Sequence, residues 1–130
     1  MKRLIFVVIV LTLGLSAAHA QSQLLGQEKK LLEMTRSNWV SFRDFNGQQL
    51  IYFTHLEVYR CGISQVRYSL NTDRLDREWK LAKCDPKNPH AIPEDYLPYL
   101  TLPLGTARSI VVQVTFIDGT TSGTVHQFAQ

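Results

Sequence analysis

The sequence predicts a mainly β protein: a small antiparallel β-sandwich preceded by a short N-terminal helix. Three observations predict it. Asn46-Gly47 and Asp118-Gly119 are hairpin turns between runs rich in β-branched and aromatic residues. Apolar and polar residues alternate from Ile63 to Leu70 and from Ser109 to Ile117, the period of a half-buried strand. Pro86, Pro89, Pro93 and Pro98 exclude regular helix or central strand from the stretch between Asp85 and Pro98.

The chain opens with an export signal over residues 1–20. Lys2 and Arg3 form its positive start, the apolar run from Leu4 to Leu15 its centre, and Ala18-His19-Ala20 a small-x-small cleavage site. A membrane anchor is the competing reading. About a dozen apolar residues are too few to cross roughly 30 Å of hydrocarbon as a helix. The expected mature chain begins near Gln21, has no second long apolar run, and is periplasmic or secreted. Removal of the signal also changes the charge argument. The whole chain carries 14 Lys+Arg against 11 Asp+Glu. Lys2 and Arg3 leave with the signal and no acidic residue does, so 12 basic residues face 11 acidic ones. The basic residues are scattered, with none of the stripes that track phosphates, and nucleic-acid binding is not expected.

Residues 21–36 carry a helical pattern, with Leu24, Leu25, Leu31 and Leu32 about seven residues apart and charged residues between them. This helix packs on the domain or docks on a partner. Residues 37–130 then read as the sandwich. Trp39, Val40, Phe42 and Phe45 lead into the Asn46-Gly47 turn. A return strand from Gln48 to Tyr59 places Leu50, Tyr52, Leu56 and Val58 on one face, with His55 and Glu57 on the other. The strand from Ile63 to Leu70 turns Val66, Tyr68 and Leu70 inward and Gln65, Arg67 and Ser69 outward. A short strand bearing Trp79 and Leu81 reaches Cys84. Beyond the proline-rich loop, Leu100, Leu102 and Leu104 mark an edge strand interrupted by Pro103. Ser109 to Ile117 turns Ile110, Val112, Val114 and Phe116 inward, and Thr120 to Phe128 returns beside it.

Cys61 and Cys84 are the only cysteines. An even pair in an exported domain predicts a structural disulfide, worth about 3 kcal/mol in the chain-entropy model. No C-x-x-C supports a redox site, and the histidine spacing supports no structural zinc.

The run Gln65-Val66-Arg67-Tyr68-Ser69-Leu70-Asn71, followed by a turn and Trp79, resembles the middle of an immunoglobulin-like module. The hairpin from Ser109 to Phe128 resembles the last two strands of one, of the fibronectin type III or chitobiase C-terminal type. The resemblance covers about half of the expected mature chain and lies in strand-and-turn rhythm. The Cys61–Cys84 spacing is too short for the inter-sheet bridge of antibody domains, and the N-terminal helix is foreign to such modules. The resemblance implies a module that binds, spaces or presents.

Little in the chain points to catalysis. His55, His90 and His126 do not stand at zinc-helix spacing, and no nucleophile elbow or phosphate loop is present. His55 and Glu57, sharing a strand face with His126 near, are the residues a small periplasmic enzyme would use. The expected function is instead that of an exported, non-catalytic binding or accessory module without cofactor or metal. Its partner is another exported or envelope protein, contacted through Leu24, Leu25, Leu31 and Leu32 or through Tyr96 and Tyr99 of the proline-rich loop. The alternative is a carbohydrate-binding module, which needs two or three coplanar exposed rings to hold a polysaccharide.

Overall fold

The computed structural model describes residues 26–130. Helix α1 spans Glu28–Met34 and a 3-10 turn follows at Arg36–Asn38. Strands β1 (Ser41–Phe45) and β2 (Gln48–Tyr52) form the first hairpin. Its turn is of the type that demands positive φ at both central residues, and Asn46 and Gly47 have φ of 52° and 73°. A second short helix, α2 (Thr54–Val58), and a 3-10 turn at Arg60–Gly62 lead into β3 (Ile63–Leu70). The remaining strands are β4 (Arg77–Trp79), β5 (Tyr99–Pro103), β6 (Ser109–Phe116) and β7 (Val125–Phe128).

The strands form two antiparallel sheets, of order β1-β2-β5 and β4-β3-β6-β7. Three strands face four, and the chain changes sheet after β2, β4 and β5, the arrangement of a small antiparallel β-sandwich. Between the sheets lie Ile51, Phe53, Val66, Tyr68, Ile110, Val112, Val114 and Phe116, with Trp79 stacked on Phe53 at a ring separation of 4.3 Å. Helix α1 belongs to this domain. Leu32 is fully buried in the same core, and the Trp39 indole donates to the Leu32 carbonyl at 2.9 Å. Its approach to the rest of the domain is close: a Cβ at Gly62 would stand 2.3 Å from the Glu28 Cβ.

One expectation is corrected and one choice left open is decided. The return strand ends at Tyr52, and residues 54–58 are helical. Phe53, Leu56, Glu57 and Arg60 are buried, at the spacing of three, four and seven that one helix face requires. Two of those four residues are charged, so apolar periodicity alone suggested a strand. The structure also decides which face of β2 meets the core. Gln49 and Ile51 point inward, whereas Leu50 and Tyr52 point away from the core. A polar residue is tolerated inside because the Gln49 amide forms two 2.8 Å hydrogen bonds with the backbone of Ala107, one given and one accepted.

The β6–β7 return is less regular than a plain hairpin. Val112 pairs with Val125 but Thr115 bridges to Thr121, so residues 122–124 carry one residue more than the strand opposite. Ser122 repairs the ladder there: its hydroxyl accepts the Val114 N–H at 2.9 Å.

Candidate functional site

The registers determine which side chains share each outer face. On the four-stranded sheet the outer rows are Gln65 with Thr115, Arg67 with Glu78 and Gln113, and Ser69 with Val111 and His126. That face is largely polar. On the three-stranded sheet the outer rows are Phe45 with Gln48 and Pro103, Arg43 with Leu50 and Thr101, and Ser41 with Tyr52 and Tyr99. Here apolar and aromatic groups run from end to end. Phe45 is 52% exposed, and the Arg43 guanidinium lies over its ring at 4.4 Å. Tyr52 and Tyr99 are half-buried, with ring centroids 5.4 Å apart and planes tilted by 53°. Leu50 is buried between Arg43 and Thr101 although it is not part of the core. This face is the candidate functional site, and it is suited to contact rather than chemistry.

The residues singled out in the sequence fall in different places. Leu24 and Leu25 lie outside the described residues. Leu32 is fully buried in the core and Leu31 is half-buried, so α1 packs Leu32 onto its own domain; Met34, at 72% exposure, is its most exposed apolar group. Tyr99 joins the aromatic face described above. Tyr96 does not. It packs edge-on against Trp79 at 6.4 Å, and its hydroxyl donates to the Lys80 carbonyl. Burial, followed by the neighbouring Glu57 carboxylate, pushes the Tyr96 hydroxyl well above its ordinary pKa.

Glu57 and His55 are separated by the turn of α2 instead of sharing a strand face. Glu57 is fully buried. Its carboxylate accepts the Trp79 indole N–H at 2.8 Å and the Ala82 amide at 3.1 Å. Arg60, also buried, donates to the carbonyls of Glu57 and Lys83, both at 2.9 Å. The Cys61–Cys84 disulfide, with Cα atoms 4.9 Å apart, closes the same corner. These bonds tie residues 79–84 to α2. His55 points elsewhere. Thr35 Oγ1 donates to the Leu31 carbonyl at 2.6 Å, so at 2.8 Å it accepts from His55 Nε2, which places the ring proton there. Partial burial lowers the His55 pKa from 6.5. His126 stands apart on β7, 3.5 Å from Thr124.

Among the described residues, no group of three or more His, Cys, Asp or Glu side chains could hold a metal ion, and no helix is long and apolar enough to cross a membrane. The aromatic face is not legible from the alternation of β2 alone, because a period of two does not say which of its two faces meets the core. The signal was present: Arg43 and Phe45 alternate with Phe42, and Gln48, Leu50 and Tyr52 follow with the same period across a two-residue turn. The chain matches no protein-family model, no curated protein and no solved structure.

Proposed function

We propose that this protein is an exported, non-catalytic module that contacts another exported or envelope protein through the outer face of its three-stranded sheet. The observation that carries the reading is the difference between the two outer faces. One is polar, whereas the other presents Phe45, Tyr52, Tyr99 and the Arg43 guanidinium on a rigid sheet. Aromatic residues and arginine dominate protein contacts: rigid rings bury large area at little entropic cost, and a guanidinium stacks on rings and donates several hydrogen bonds. The export signal and the disulfide support the compartment. A polysaccharide is less favoured as ligand, since the Tyr52 and Tyr99 planes are tilted by 53° and do not form a flat platform.

The test is chemical cross-linking in the exported compartment, followed by mass spectrometry. It compares the native chain with a variant carrying Phe45→Ser, Tyr52→Ser and Tyr99→Ser. The expected result is a specific protein partner that disappears in the variant while circular dichroism shows an unchanged fold. A partner retained by the variant, or none in either sample, overturns the reading.

A further inference from the structure

We propose that the free edge of β1 takes up an extended segment of the partner as an added strand, in the cleft between β1 and β7. The inference rests on the protein-contact reading above and specifies its mode. Among the described residues the two sheets have four edge strands: β1, β5, β4 and β7. Strand β5 is preceded by Pro98 and ends in Pro103, and proline gives no donor to a ladder. Strands β4 and β7 have three and four residues. Strand β1 has five, Ser41-Phe42-Arg43-Asp44-Phe45, with no proline or lysine to protect it.

The hairpin decides which backbone groups of β1 are free. Across a two-residue turn the flanking pair, Phe45 and Gln48, is hydrogen-bonded, so Phe45, Arg43 and Ser41 direct their amide groups to β2. Phe42 and Asp44 direct theirs away from the sheet. That edge borders a cleft of about 510 Å³ lined by Val40, Phe42, Asp44, Arg108, Gln127 and Phe128 among others. Its volume lies within the range of roughly 300–1,000 Å³ usual for ligand sites. Gln127 of β7 ties down the segment that leads into β1. Its Oε1 accepts the Val40 N–H at 3.2 Å and its Nε2 donates to the Ser37 carbonyl at 2.6 Å. These bonds fix the chain just before β1, and the outward amides of Phe42 and Asp44 lie beyond them.

The occupant is a different chain and not a second copy. Two-fold antiparallel pairing of β1 with itself must set one residue opposite its own copy. Centring on Arg43 or on Asp44 opposes like charges, which is destabilising. Centring on Phe42 shortens the overlap to a few residues. Arg43, Arg108 and Asp44 are the charged side chains that line this cleft, two cationic to one anionic. The segment that fits has apolar side chains at alternate positions, facing Val40 and Phe42, and a carboxylate on the opposite side beside Arg43.

The probe is an eight-residue capped peptide alternating valine with glutamate, added to the native chain. The readout is amide hydrogen exchange by NMR. Strand addition should slow exchange at Phe42 and Asp44 by about tenfold or more while leaving other edge amides unchanged. The same peptide N-methylated at alternate amides should have no effect. Asp44→Pro, which removes an N–H that the sheet does not use, should abolish the protection. Unchanged exchange at Phe42 and Asp44, or equal protection by the methylated peptide, overturns the proposal. Partner cross-links that persist in Asp44→Pro also overturn strand addition while leaving the protein-contact reading standing; loss of cross-links only in the aromatic-face variant does the same.

Discussion

Replacing Glu57 tests whether the corner between α2 and residues 79–84 is held by a buried carboxylate. The side chain is fully buried, and two donors depend on it: the Trp79 indole at 2.8 Å and the Ala82 amide at 3.1 Å. Glu57→Ala leaves both without an acceptor in the core. Each orphaned donor costs about 1–3 kcal/mol, and a small cavity adds to this, so the loss should be about 3–5 kcal/mol. Against a domain stability of roughly 5–15 kcal/mol, that is a large fraction. Glu57→Gln keeps one carbonyl oxygen and the volume, and should cost about 1–2 kcal/mol. The assay is urea unfolding with the disulfide oxidised, followed by tryptophan fluorescence and circular dichroism, with coincidence of the two probes as the check of two-state behaviour. A Glu57→Ala loss below about 1 kcal/mol, or equal losses for the two variants, would refute the assignment of the carboxylate as an essential acceptor.

The other predictions concern the links around that corner. Replacing both Cys61 and Cys84 with alanine should lower stability by about 3 kcal/mol, read as a shift in the urea midpoint; an unchanged midpoint removes the disulfide as a staple. Burial lowers the His55 pKa in the folded state, so the unfolded chain binds its proton first as pH falls. Stability should therefore be full above pH 6.5 and decline as pH drops through that value; His55→Gln should flatten this component, and an identical pH profile in the variant counts against it. Gly62→Ala places a methyl group 2.3 Å from the Glu28 Cβ. It should cost about 1–3 kcal/mol by overpacking and displace α1, which would appear as faster hydrogen exchange at Leu32; a neutral substitution would show that α1 yields freely. Asp118 accepts from Lys29 at 2.7 Å, which holds its carboxyl below the usual range. Its contribution is present above about pH 3.9 and lost as pH falls below it, so Asp118→Asn should reduce the acid sensitivity of unfolding.

Much of the fold follows from local chemistry. Asn46-Gly47 and Asp118-Gly119 tolerate positive φ, so both turned where the sequence placed them. The alternation in β3 and β6 repeats every second residue, and period two has one structural meaning when both flanks are turn residues. The disulfide follows from two cysteines, and Pro98 and Pro103 frame an edge strand that cannot use every donor.

What the local pattern could not determine were choices made by distant groups. Residues 53–59 read as strand because a buried charge breaks the apolar helical pattern, and only Trp79, Ala82 and Lys83 make Glu57 and Arg60 tolerable inside. The face of β2 was equally ambiguous. Leu50 and Ile51 are adjacent and both apolar, and the choice between them depends on Ala107, 58 residues away, which satisfies Gln49 on the inner side. Hydrophobicity specifies that an alternation exists, whereas the partners of buried polar groups decide which half of it faces the core. The aromatic face and the free edge of β1 both follow from that decision, which is made in three dimensions.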